Sequence, residues 1–291
     1  MTHSPSRLLK AALKSAALAI GLLAGASVMA QTAICYNCPP EWADWASQLR
    51  AIKEKAGITV PPDNKNSGQT LAQLVAEKAS PVADMAYYGV TFGIQARKEG
   101  VTAAYKPAGW AAIPDGLKDP EGHWFTIHSG TLGFMVNVDA LKGKPVPKSW
   151  ADLLKPEYKG EVQMANPASS GTAYTVIATL VQIMGEDKAF DYLKSLHKNI
   201  STYTRSGTAP IKAAARGETM VSISFVHDVT TEAIQGFPVG SATPSEGTGA
   251  EIGSMSIVKG ARNMEVAKKF YEWALTPGAQ QFGVAAKQFQ L

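Results

Sequence analysis

Several short stretches carry residue types that can do chemistry. Cys35-Tyr36-Asn37-Cys38 holds the only two cysteines of the chain, at the spacing used by thiol oxidoreductases and by one half of a zinc site. Asn66-Ser67-Gly68, Ser169-Ser170-Gly171-Thr172 and Ser206-Gly207-Thr208 each put hydroxyls directly ahead of a helix-forming run. There, side-chain oxygens and orphan backbone N–H groups meet the positive end of a helix dipole, which holds a phosphate, phosphonate or carboxylate without a further cation. An ordinary N-cap, worth around 1 kcal/mol, is the other account of any single serine. His227-Asp228 follows the apolar run Ser222 to Val226. An imidazole and a carboxylate at a strand end can bond sugar hydroxyls, bind a metal or pair with each other. Glu246 and Glu251 sit in the Gly, Ser, Thr and Pro-rich stretch leading into the return strand, where each is either a partner for hydroxyl or ammonium groups or a solvated charge. Tyr87-Tyr88, the only tandem tyrosine, suits packing or a crevice wall better than Fe(III) ligation.

What these groups can do depends on the compartment. The chain starts with Arg7, Lys10 and Lys14, runs through apolar residues from about Ala16 to Leu23, and reaches Val28-Met29-Ala30. This pattern reads as a secretory leader, residues 1–30, cut between Ala30 and Gln31. No later stretch approaches the roughly 20 apolar residues of a membrane span. The leader holds three of the 28 basic residues and none of the 24 acidic ones, leaving 25 against 24, a net of +1. A nucleic-acid partner therefore loses its electrostatic support. GxSxG, HExxH and Walker motifs are absent, and His123, His128, His197 and His227 lack metal spacing. A periplasmic thiol oxidoreductase through Cys35 and Cys38 is the one enzymatic alternative, but that fold needs only about one hundred residues. In an exported chain the two cysteines are expected to form a disulfide, whose short loop acts locally.

The elements that must position these groups alternate. Strands are expected at Ala33–Tyr36, Ile58–Val60 and Ala83–Tyr88, with helices over Glu41–Lys55, Gln69–Lys78 and Thr91–Glu99. That order predicts an α/β fold with a largely parallel sheet, whose ligand crevice lies beyond the carboxyl ends of the strands. Trp124 to Val138 is long for one strand and is interrupted by Ser129-Gly130, as in a crossing strand with a soft point or a bulge. A second block follows: a strand at Val162–Met164, helices at Gly171–Ile183, Lys188–Leu196 and Ala209–Arg216, and a strand at Met220–Val226. A loop, Gly236–Gly249, then leads to a strand at Gly253–Val258 and a helix at Met264–Leu275.

Asn166-Pro167-Ala168-Ser169-Ser170-Gly171-Thr172-Ala173-Tyr174, Met184-Gly185-Glu186-Asp187-Lys188-Ala189-Phe190-Asp191-Tyr192-Leu193 and Thr204-Arg205-Ser206-Gly207-Thr208-Ala209-Pro210 resemble the second lobe of periplasmic solute-binding proteins of ABC importers. Ile257-Val258-Lys259-Gly260-Ala261-Arg262-Asn263 with Ala267-Lys268-Lys269-Phe270 is similar to that family's return strand and helix. The branch is the one that includes binders of ferric iron, hexose phosphates and aminoethylphosphonate. The resemblance implies a type II two-lobed clamp: lobe one from 31–128 and 253–291, lobe two from 129–252, crossings near Ser129-Gly130 and Gly253, and mainly parallel sheets with flanking helices. Family members usually continue several dozen residues past Leu291, so the closing helices are expected to be missing.

The implied role is capture of a small anionic solute, a sugar phosphate or organophosphonate, for delivery to an inner-membrane permease and its ATPase. A monomer without cofactor or metal is expected. Only the resemblance makes the three hydroxyl-bearing helix starts converge. The ligand set so implied comprises Tyr36, Asn37, Ser67, Gly68, Tyr88, Ser129, Ser169, Ser170, Gly171, Thr172, Ser206, Gly207, Thr208, His227, Asp228, Glu246 and Glu251, with Cys35 and Cys38 stapling the lip at Tyr36-Asn37. Ferric iron is the runner-up ligand; the paired tyrosines that iron binders carry at the strand end before His227 are absent.

Overall fold

The computed structural model describes residues 31–39, 45–285 and 289–290, with side chains to residue 282; the leader, its cut site and residues 40–44 lie outside the described residues. A single long strand, β6 (Phe125–Asn137, 13 residues), organises the fold. Phe125 and Ile127 point into one core, whereas Leu132, Phe134 and Val136 point into another. Side chains alternate with a period of two along a strand, so the inward face changes parity across Ser129-Gly130-Thr131. That polar, glycine-containing interruption is where the strand passes from one core to the other.

The first part of β6 pairs antiparallel with β11 (Ala250–Val258), Thr131 opposite Ala250 and Phe125 opposite Met255, and the register slips between Gly253 and Ser254, opposite His128. β11 also pairs antiparallel with β4 (Met85–Gly89) and β5 (Thr102–Ala103), and β4 pairs parallel with β2 (Cys35–Tyr36). The later part of β6 is flanked by β9 (Val221–Phe225) and β10 (Val239–Ala242), both antiparallel. β9 then pairs parallel with β7 (Val162–Ala165), and β7 with β8 (Ile200–Thr204). β1 (Gln31–Thr32) and β3 (Ile58–Thr59) form a parallel pair of their own, and β12 (Phe289–Gln290) pairs with β6. The expected mainly parallel sheets therefore require correction: parallel pairing holds only at the outer strands. β6 takes part in both sheets, and both it and β11 run antiparallel to their neighbours.

The helices are α1 (Trp45–Ala56), α2 (Ser67–Ala76), α3 (Val90–Lys98), α4 (Gly171–Met184), α5 (Glu186–Leu196), α6 (Ala209–Ala215), α7 (Val226–Ile234), α8 (Met264–Ala274) and α9 (Pro277–Ala285). Lobe one buries Trp45, Ile52, Met85, Phe125, Met255, Phe270 and Tyr271 together, with Tyr36, Tyr88, Phe92 and Val258 on the far side of its sheet. Lobe two buries Phe134, Trp150, Val176, Leu180, Ile223 and Phe225. Asp84, fully buried, ties the first lobe's ends together by accepting from the N–H groups of Ile34 (2.9 Å) and Asn263 (2.8 Å) and from the Asn263 amide (3.1 Å).

Several elements depart from the sequence reading, three of them in the second half of the chain. The strand expected over Met220–Val226 stops at Phe225, and Val226 begins α7, so His227 and Asp228 sit in a first helical turn rather than a loop. An acidic residue there suits the helix dipole. The loop Gly236–Gly249 contains β10, and the unexpected β8 is an edge strand whose residues are partly or fully exposed. Neither shows the apolar alternation on which a strand is read.

Candidate functional site

Where the two lobes meet, a cavity of about 180 Å³ opens between β4, the start of α2, the start of α4 and the turn before α6; its wall includes Asn37, Lys65, Tyr87, Ser170, Thr172 and Glu251. At roughly 10–15 Å³ of such space per water, it admits about a dozen waters. That is room for a small molecule rather than a bare ion.

One wall is built by helix starts. Ser170 is the N-cap of α4 and its Oγ accepts from Ala173 N (3.4 Å), which leaves the N–H groups of Gly171 and Thr172 without intrahelical acceptors. Asn66 caps α2 through a reciprocal pair: Asn66 Oδ1 accepts from Gln69 N (2.9 Å), and Gln69 Oε1 accepts from Asn66 N (3.2 Å). The turn Ser206-Gly207-Thr208 packs directly on α4, since a Cβ at Gly207 would lie 2.3 Å from Thr172 Oγ1 and 3.3 Å from Ser170 Oγ. Its own helix, α6, is seven residues long with Pro210 in its first turn, so this turn contributes hydroxyls more than N–H groups. Ser206 Oγ and Thr208 Oγ1 are 3.2 Å apart.

Lys65 adds a cation on the lobe-one side. Its Nζ pairs with Asp63 (2.5 Å) and lies 4.1 Å above the Tyr36 ring. Asp63 Oδ1 also accepts from the backbone N–H groups of Lys65 (3.1 Å) and Asn37 (2.8 Å). The Asn37 amide donates to Tyr87 O (2.9 Å), and Asn37 holds a positive φ of 61° inside the Cys35–Cys38 disulfide. The disulfide thus shapes a turn whose side chain reaches the cavity wall.

A second wall lies at the crossing strands. Glu251, opposite Gly130 in the β6–β11 ladder, is 5% exposed, and its buried Oε2 has no hydrogen-bond partner among the described residues. Burial first, and then Asp228, push its carboxyl up to about 8. Burial also raises Tyr87 and Asp228 and, with His227, lowers His128 to about 3, so burial disfavours charge in the layer beneath the cavity. Gln48 Nε2 and His128 Nε2 are 3.0 Å apart, and the Tyr87 ring lies edge-on to Trp45 and His128. Gly253 is required here, since a Cβ would fall 2.0 Å from Tyr87 OH.

The lobes touch beside the cavity. Gly68 N–H donates to Ser169 O (3.0 Å), Asn66 Nδ2 to Arg205 O (3.4 Å), and Phe92 meets the Tyr174 ring edge-on at 6.0 Å. A Cβ at either Gly89 or Gly171 would lie 3.0 Å from the other's Cα, so these backbones meet with no side chain between them.

Of the residues singled out from sequence, Asn37, Ser67, Ser170, Gly171, Thr172, Ser206, Gly207, Thr208 and Glu251 line this cavity. The others need correction. Tyr36 is buried, donates to the Glu77 carboxylate (2.9 Å) and touches the site only through Lys65. Tyr88 points into the lobe-one core; its neighbour Tyr87, on the opposite strand face, reaches the cavity instead. Gly68 and Ser169 belong to the contact between lobes, and Ser129 sits in the ladder opposite Ile252. Glu246 accepts from the N–H groups of Trp150 (3.1 Å) and Ala151 (3.3 Å), fastening its loop to lobe two. His227 and Asp228 do not line the cavity: they are buried one layer behind it, His227 filling the space over Gly130. Pro39, Asn64, Lys65, Asn66, Tyr87 and Gly89 complete the wall. Lys65, inside Asn64-Lys65-Asn66-Ser67-Gly68, was the legible one, a cation immediately before a hydroxyl-bearing helix start.

Comparison with known proteins agrees with this geometry. The chain is 41% identical over 276 residues to an uncharacterised protein of Haemophilus influenzae, covering 92% of this chain and 80% of that protein. It is 40% identical to the periplasmic binding protein AfuA from Actinobacillus pleuropneumoniae, solved with exogenous fructose-6-phosphate bound, at a TM-score of 0.83 over 89% of this chain and 84% of that one. The periplasmic binding protein P5PA is 32% identical with the same TM-score, over 89% and 85% of the two chains. Residues 80–289 match the family described as bacterial extracellular solute-binding protein. The chain belongs to that family, as a two-lobed periplasmic binding protein of the kind that hands a captured solute to an ABC importer and carries out no catalysis.

Proposed function

We propose that the chain captures a phosphorylated polyol, most directly a sugar phosphate, and presents it to the inner-membrane permease. The observation that carries this reading is the pairing of two unlike walls in one cavity. Serine and threonine hydroxyls, two free N–H groups and Lys65 suit an anionic head, while Glu251 and Tyr87, over His227 and Asp228, suit hydroxyl groups. The fructose-6-phosphate bound to AfuA supports the same ligand class. The lobes are proposed to divide as 31–128 with 253–291, and 129–252, and to hinge at Ser129-Gly130 and Gly253. The mature protein is proposed to start at Gln31 and to act as a monomer.

Ferric iron fits this donor set less well. Fe(III) favours several anionic oxygens, yet the cavity wall offers one carboxyl and one phenol, both held toward their neutral forms. Tyr87 and Tyr88 face opposite sides of β4 and cannot act as a pair.

The test is thermal unfolding of the mature protein with glucose 6-phosphate, 2-aminoethylphosphonate or ferric citrate. A ligand at 100 times its dissociation constant stabilises by about 2.7 kcal/mol. The sugar phosphate is expected to raise the midpoint; a rise with ferric citrate alone would overturn the reading.

A further inference from the structure

Within the cavity, Glu251 stands apart. It lines the wall, it is nine-tenths buried or more, and Oε2 is sealed from solvent with no hydrogen-bond partner among the described residues. Among those residues, burial and the like charge of Asp228 disfavour a carboxylate here, and the α6 cation Lys212 pairs with Glu232 (3.8 Å). α7 presents Asp228, a like charge, with Glu232 behind it and His227 3.5 Å from Asp228. β4 presents the Tyr87 phenol, and β6 presents His128, whose ring is held neutral. The one cation in the wall, Lys65, already pairs with Asp63. An ionised carboxylate in such a place pays desolvation with no counter-charge.

We propose that Glu251 meets the ligand as a neutral carboxylic acid, donating its O–H to a hydroxyl or carbonyl oxygen, and thereby selects polyol phosphates against ammonium-bearing phosphonates. The inference rests on the proposed ligand class and deepens it. A carboxylic acid both donates and accepts, which matches a sugar hydroxyl. A substrate ammonium has only protons to give and needs an anion opposite it. Selectivity then comes from withholding a negative charge, so the wrong ligand buries its own charge unpaired.

The consequence is a proton linkage that opposes the usual carboxylate behaviour. Because the protonated form binds, affinity for glucose 6-phosphate should hold up to about pH 7 and fall as Glu251 ionises, nearing a tenfold loss per pH unit well above pH 8. Glu251→Gln keeps the shape and a donor while removing the proton. It should bind glucose 6-phosphate within about fivefold of wild type at pH 7 and lose the alkaline fall. Titration calorimetry of both proteins from pH 6 to 9.5 reads this directly. Wild-type affinity flat or rising through pH 9, or a hundredfold loss in Glu251→Gln at pH 7, would overturn the proposal.

A ligand-free measurement separates it from the ligand assignment. A folded-state value raised above the unfolded one means the native state holds the extra proton between roughly pH 4.5 and 8, so wild-type stability falls as pH rises through that window. The unfolding midpoint of Glu251→Gln should therefore gain on wild type from pH 5 to pH 8. A gain without binding of any sugar phosphate would keep the neutral acid and sink the ligand class. No gain would sink the neutral acid, whatever binds.

Discussion

Substituting Gly68 by alanine should uncouple binding from folding. In the closed structure a Cβ at Gly68 falls 2.7 Å from Ala168 O and 3.0 Å from Ser169 Cα, both backbone atoms of the facing lobe that cannot rotate aside. The same residue donates the backbone hydrogen bond to Ser169 O at 3.0 Å. Overpacking of this kind costs about 1–3 kcal/mol, and the lost or stretched hydrogen bond about 0.5–1.5 kcal/mol. Together they penalise the closed form by about 1.5–4.5 kcal/mol, and at 1.4 kcal/mol per tenfold this lowers affinity by roughly 10- to 1,600-fold. In the proposed clamp, solute enters when the walls part, a state in which this contact would be broken. There Gly68 is an early residue of α2, where alanine is favoured over glycine by up to about 1 kcal/mol. The unliganded protein should thus unfold at the same temperature or slightly higher while binding collapses. Calorimetric titration with glucose 6-phosphate and thermal unfolding of the unliganded protein check both halves, with Gly116→Ala, where a Cβ meets nothing within 4 Å, as control. An affinity change below threefold, or an unliganded protein destabilised by more than about 1 kcal/mol, would refute the reasoning.

Lys65→Met should weaken sugar-phosphate binding about 10- to 30-fold and flatten its salt dependence, measured by titration at two ionic strengths, since the charge removed from the cavity wall is the proposed partner of the anionic head. Ser170→Ala should lower both stability, by about 1 kcal/mol in urea unfolding, and affinity, because one oxygen caps α4 and lines the cavity. Replacing Cys35 and Cys38 by serine should cost about 2 kcal/mol by the loop-entropy relation for so short a ring. It should also weaken binding, because Asn37 loses the constraint on its turn. Asp84→Ala should cost at least about 3 kcal/mol in the same unfolding assay, as three hydrogen bonds to a buried carboxylate are lost.

Much of the fold was written locally. Apolar spacing and capping residues marked α2, α4 and α8 within a residue or two, and the break at Ser129-Gly130 marked the place where β6 changes inward face. Such features depend on neighbours a few residues apart, so they survive translation from sequence to structure. α7 did not: His227-Asp228 after an apolar strand reads equally well as a loop, and only packing over Gly130 and against Phe225 selects the helix. Tyr87 and Tyr88 show the same limit. Both end one strand, and which ring faces the cavity depends on which face of β4 carries the core.

The sequence by itself determined that polar helix starts exist near Ser67, Ser170 and Ser206, because the residues that open a helix and the apolar spacing that follows are neighbours in the chain. The tertiary structure alone decided that they converge, pressing Gly207 onto Thr172 and Gly171 onto Gly89. It alone decided the protonation of Glu251, since a carboxyl's charge depends on the water removed from it and on Asp228, 23 residues earlier in the chain and close only in space.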